Sequence, residues 1–209
     1  MTKLNKNSIW DLCEEYIHLD SELARSISFN ICLVHCKVRP SFLLQDVDYV
    51  GEDVLDRTLS FLKMLNNIFG LVQTPIGILV CLSEATDHFI ELINNGIERN
   101  NMDTAMGIAL GYMFAGELKS YHSQSERCMI CFNMLIMHNG GETRPVQFMG
   151  MIATKEKVSK MMHQVLRQSE CFHSAAAEIH KDIRVSVTIR LMSKNSDAAD
   201  GPYVQNEIN

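Results

Sequence analysis

The amino-acid sequence predicts a single α+β domain, a mixed or antiparallel sheet of about five strands packed by about five helices. Three observations carry that expectation. Asn139-Gly140 stands between two apolar runs, and a type I′ hairpin turn needs positive φ at both central positions, which Asn-Gly tolerates best. In 183–191, Ile183, Val185, Val187, Ile189 and Leu191 alternate with Arg184, Ser186, Thr188 and Arg190, the period of a half-buried strand. The run Ile76-Gly77-Ile78-Leu79-Val80-Cys81-Leu82 has no polar alternation, as in a strand covered on both faces.

In chain order, Asn7-Ser8 are candidate caps for a first helix carrying Trp10, Cys13, Tyr16 and Ile17 at helical spacing. Residues 27–38 fit two periods. Ile27, Phe29, Ile31 and Leu33 alternate with Ser28, Asn30 and Cys32, while Leu23, Ile27, Ile31 and Val34 make a helical stripe. The β-branched and aromatic content favours a strand ending at Arg39-Pro40.

A helix is expected from Gly51-Glu52-Asp53 to about Phe69, with Val54, Thr58, Phe61, Leu62 and Leu65 on one face. Asp53 and Asp56 complement its positive N-terminus, and Gly70 stops it. Ser83 reads as the cap of a helix carrying Phe89, Ile90, Ile93 and Ile97, ended by Asn94-Asn95-Gly96. Asp103 reads as the cap of another, running to about Ser120. In it Gly107, Gly111 and Ala115 recur every four residues. A helical glycine costs about 1 kcal/mol against alanine, so this stripe implies close packing, within the chain or against a second copy.

The C-terminal half forms a β-hairpin–helix–strand unit. Strand 127–138 is followed by a return strand over 143–153, whose Pro145 places that end at a sheet edge or bulge. Thr154 caps a helix over 155–181, and strand 183–191 closes the unit. Small and polar residues dominate from Ser193, so the domain is assigned to 1–194 and a flexible tail to 195–209.

The 209 residues are 46% hydrophobic and 21% charged, ordinary for a chain with a real core. Seven cysteines lack a paired regular spacing, and Met1-Thr2-Lys3-Leu4-Asn5-Lys6 lacks the apolar core of a secretory signal. Both point to free thiols in a reducing, cytoplasmic setting. No apolar run reaches the roughly 18 residues that cross a bilayer, so no membrane partner is expected. The net charge of −6 argues against a nucleic-acid protein on bulk electrostatics. Charge is unevenly spread, however. Residues 1–126 hold 9 Lys+Arg against 17 Asp+Glu, and residues 127–194 hold 10 against 5.

No motif for a known chemistry stands out. Cys128-Met129-Ile130-Cys131 has the spelling of a zinc or redox site, but in a strand positions 128 and 131 face opposite ways. Asp46, Asp48, Glu52, Asp53 and Asp56 make an acidic cluster explained mainly by a solvated helix entry. No metal and no cofactor is expected. The leading reading is a non-catalytic interaction or assembly module that binds a protein partner or itself. Its support is the interface stripe Gly107, Gly111 and Ala115, the edge strand near Pro145, and thirteen methionines able to fill adaptable interfaces. A second reading is anion or nucleic-acid binding by Arg184 and Arg190 on the last strand, joined by Arg144, Lys160 and Arg167. A third is a hydrolase-type enzyme using Glu117, Tyr121 and His122.

Overall fold

A computed structural model describes residues 6–44, 52–112, 127–138, 141–142 and 145–192. Those residues hold seven α-helices: α1 (Lys6–Tyr16), α2 (Glu22–His35), α3 (Glu52–Met64), α4 (Thr86–Glu98), α5 (Met102–Ala109), α6 (Lys155–Lys160) and α7 (Met162–Ile179). The strands are β1 (Ser41–Leu44), β2 (Phe69–Thr74), β3 (Gly77–Leu82), β4 (Arg127–His138), β5 (Gly141–Glu142), β6 (Val146–Thr154) and β7 (Ile183–Met192).

The protein is α+β, but one sheet of about five strands is not what forms. Among the described residues there are two antiparallel three-stranded sheets, β1-β3-β2 and β6-β4-β7, with the two-residue β5 paired to the end of β4. The reason lies in α2. Residues 27–38, expected as a strand, belong largely to a 14-residue helix capped by Ser21, whose side chain accepts from Ala24 N. Every residue from Ile27 to Val34 is buried. A helix buried all round has no polar stripe to reveal its period, so the alternation of Ile27, Phe29, Ile31 and Leu33 was incidental. This helix packs against β6 on one side and against β1 and β3 on the other, so it stands between the two sheets.

The first sheet is covered on both faces. Phe42, Leu44, Phe69 and Val80 join the larger core, whereas Val72, Leu79 and Cys81 pack with Phe89 and Ile93 of α4 and Met106 of α5. The unbroken apolar run in β3 follows from that double cover. Its partner β2 replaces the end of an expected helix: α3 stops at Met64, and Phe69-Gly70 pair with Leu82 and Cys81. Ser83 opens a 3-10 turn, and α4 starts at Thr86. Gly96 does not end α4 but is buried within it, where an added Cβ would lie 2.6 Å from Ala105 Cβ. That contact explains a helical glycine here, since it lets α4 and α5 approach closely.

In the second sheet the C-terminal unit forms at 127–192 as expected. His138 pairs with Gly141, while Asn139-Gly140 lie outside the described residues. The register of β6 slips at Phe132/Asn133, with Met149 opposite Phe132 and Gln147 opposite Asn133, so Phe148 is the extra residue of a bulge. Pro145 precedes β6, which among the described residues pairs with β4 alone. The expected single helix over 155–181 is two, broken at Met161, with Thr154 accepting from Lys157 N at the start. Helix α7 covers the face of β4 that carries Ile130, Phe132 and Met134. Asn7-Ser8 lie inside α1 rather than capping it. Among the described residues no helix is long and apolar enough to cross a membrane. The tail 195–209 lies outside them.

Candidate ligand-binding site

The end of α2 sets up the site. Lys37 takes φ 59°, its N–H donates to Val34 O, and Val38 N–H donates to Leu33 O at 3.0 Å. This is the paired closure that satisfies the last carbonyls of a helix. It folds the chain back so that Arg39, nine residues after Asn30, lies against it. Arg39 is 5% exposed, and its Nη1 donates to Asn30 Oδ1.

Asn30 is itself held. Its Nδ2 donates to Ser26 O in its own helix and to Phe148 O in β6, both at 3.0 Å. Ser26 Oγ donates to Gln147 O at 3.1 Å. These side chains satisfy carbonyls of an outer strand beside its bulge, where no further strand among the described residues supplies N–H groups. Asn30 thereby fixes the guanidinium relative to β6.

Arg39 has no carboxylate partner among the described residues, and its Nε is buried without a hydrogen-bond acceptor. Burial lowers its pKa to about 10, with the neighbouring Tyr112 partly opposing that fall. At neutral pH it still carries its charge. Burial in turn raises the Tyr112 phenol, which Arg39 partly offsets. The phenol is therefore a proton donor at neutral pH.

Arg39, Asn30 and Tyr112 border a cavity of about 640 Å³ between β1 and β6, the facing outer strands of the two sheets. Its walls are largely apolar: Phe42 and Leu43 from β1, Leu110, and Phe148, Met149 and Met151 from β6. Arg127 contributes a second, half-buried cation. The arrangement is a greasy slot with one buried cation, a half-buried second one and a few polar groups, the usual make-up of a small-molecule site.

The residues singled out from sequence fall elsewhere. Arg184 and Arg190 share the face of β7 turned away from α7, opposite Leu135 and Met129. Six strand residues separate them by roughly 20 Å. Arg184 Nη1 is engaged by Lys181 O at 2.7 Å and Ile183 O at 3.1 Å. Lys160 pairs with Glu156 at 2.6 Å, and Arg167 is exposed on α7, which covers the opposite face of that sheet. The structure does not gather these four cations. Gly107 is buried in α5. Gly111 lies beyond the helix end with φ +70°, and a Cβ there would come 2.9 Å from Pro40 Cδ. The helix expected to reach about Ser120 therefore stops at Ala109, and Gly111 sits against the residue next to Arg39. Ala115, Glu117, Tyr121, His122 and Arg144 lie outside the described residues, as do Asp46 and Asp48.

Cys128 joins the larger core, and Cys131 lies on the other face of β4, near Thr188 and Arg190. Burial pushes the Cys131 thiol up, and likewise that of Cys32, which meets Cys13 across α1 and α2. These thiols are protonated core groups rather than nucleophiles. Among the described residues no three His, Cys, Asp or Glu side chains gather to hold a metal. Sequence reasoning missed Asn30, Arg39 and Tyr112. The available signal was Asn30, an amide inside a run of apolar residues, since a buried amide must find partners. No protein-family model, curated protein or solved structure matches the chain.

Proposed function

We propose that this protein is a non-catalytic binding protein that takes a small molecule into the cavity between β1 and β6. The observation that carries the reading is a buried Arg39, with no carboxylate partner among the described residues, bordering an apolar space of about 640 Å³. That volume lies within the ~300–1,000 Å³ range of small-molecule sites. Ile152 lines the cavity and is 36% exposed, so a larger side chain there changes the rim of the slot without displacing core. A fragment collection screened by ligand-observed NMR should yield binders that Ile152→Trp weakens by about ten-fold or more. A screen without binders, or binders indifferent to Ile152→Trp, rejects the reading.

Self-association is a second reading, supported by apolar side chains left uncovered on α4 and α5. Ile90 and Ile97 are seven residues apart, hence on one face of α4, and with Ile108 of α5 they are about half exposed. Light scattering after size exclusion should then report a dimer that Ile97→Lys disperses. A strict monomer at high concentration removes this reading. Anion binding by β7 has less support, because the guanidinium of Arg184 is already engaged by backbone carbonyls.

A further inference from the structure

We infer that the ligand is a small organic monoacid, its carboxylate held by Arg39 and its apolar body lying along the inner wall formed by β6. The inference rests on the binding reading above and names its ligand class. A buried cation with no counter-charge is costly to keep, by several kcal/mol in general. Here the hydrogen-bond acceptor found for it among the described residues is the single carbonyl of Asn30, with Tyr112 as a neighbour. Replacing such a charge with an apolar side chain costs a fold little, so its presence asks for an anion.

Geometry narrows that anion. Asn30 takes Nη1, and Asn30 is locked in place by Phe148 O and Ser26 O. Of the rest of the planar guanidinium fork, Nε is buried with no acceptor among the described residues. That fork matches the two oxygens of a carboxylate. The Tyr112 hydroxyl beside it supplies a further donor. One fully buried positive charge neutralises one negative charge. A phosphate dianion would bring a second charge among Phe42, Met149 and Met151, and among the described lining residues Arg39 is the one buried cation. Arg127 is only half-buried and keeps contact with water. The remaining wall recognises hydrocarbon, so the acid carries an apolar chain or ring.

The test uses octanoate and 3-phenylpropionate, their neutral counterparts 1-octanol and 3-phenylpropanol, and inorganic phosphate, titrated calorimetrically into the full chain. At least one acid should bind about ten-fold or more tightly than its alcohol, with phosphate silent. Arg39→Met should bring that acid down to the alcohol's affinity and leave the alcohol unchanged. Should Arg39→Met fail to fold, Arg39→Lys keeps the charge but loses the fork, and a weakening of about three-fold or more is expected. Acid and alcohol binding alike would overturn the inference, as would tight phosphate binding or acid binding that survives both Arg39 variants. Failure of both acids overturns it too. If fragments still bind and Ile152→Trp still blocks them, the cavity reading stands and only the ligand class is wrong.

Discussion

Replacing Phe172 with alanine should lower the unfolding free energy by about 3–5 kcal/mol, measured by urea denaturation. Phe172 is 1% exposed on α7 and meets Phe132 of β4 and Phe148 of β6 edge to face, with ring centroids 5.2 and 5.3 Å apart. Phe148 in turn meets Phe29 of α2 at 4.9 Å. Edge-on aromatic pairs add roughly 0.5–1.5 kcal/mol each beyond their buried area. Removing this ring therefore loses two such pairs and leaves a cavity between helix and sheet. The bulge at Phe148 makes the loss reach the binding site. Phe148 belongs both to this cluster and to the cavity wall, and its carbonyl anchors Asn30. Phe172→Leu, which refills most of the space, should recover more than half of the loss. A cost below about 1 kcal/mol for Phe172→Ala would show that the cluster does not hold the second sheet against its helices.

The elements that could be read from sequence are those whose signal is local. Strand β7 shows its period because one of its faces is apolar and the other carries Arg184, Ser186, Thr188 and Arg190. The β4–β5 ladder, with His138 opposite Gly141, flanks the Asn139-Gly140 pair whose hairpin preference is set by backbone sterics alone. Strand β2 was hidden because Leu65, Ile68 and Phe69 continue the apolar spacing of α3, and only pairing with β3 decides between the two conformations. Helix α2 was hidden for the opposite reason, since complete burial removes any contrast between faces.

That one misreading also concealed the site. In a strand, Asn30 falls on the polar side of the alternation and needs no partner. In a helix it is a buried amide that must be satisfied from both sides of the molecule. Arg39 suffers similarly, because Arg39-Pro40 reads as a strand end rather than as a cation folded back over the helix it follows. Tyr112 joins them from far along the chain, a convergence that only tertiary packing creates. The cations singled out in the sequence fall on several elements: Arg184 and Arg190 on β7, Lys160 at the end of α6 and Arg167 on α7.

Asn30→Leu should cost about 3 kcal/mol in the otherwise unchanged protein but only about 1 kcal/mol when Arg39 is already methionine. Asn30 carries two burdens. Its Oδ1 accepts from a buried guanidinium, a bond to a charged group worth roughly 1.5–3 kcal/mol, and its Nδ2 satisfies Phe148 O, whose loss costs about 1 kcal/mol. The first burden vanishes when the charge is gone, and the second does not. Arg39→Met alone should be close to neutral. It relieves a desolvated cation and leaves only Asn30 Oδ1 without a donor, and exchanging buried charges for apolar groups of similar size is often neutral or stabilising. The double-mutant cycle, read from urea midpoints at constant slope, then closes on a coupling of about 2 kcal/mol. Additive effects would mean that Asn30 holds β6 and α2 together without positioning Arg39. A large loss on Arg39→Met would mean that the guanidinium is a structural tie. A coupled pair whose charged member can be deleted at little cost to the fold has the energetic signature of a group kept for its ligand.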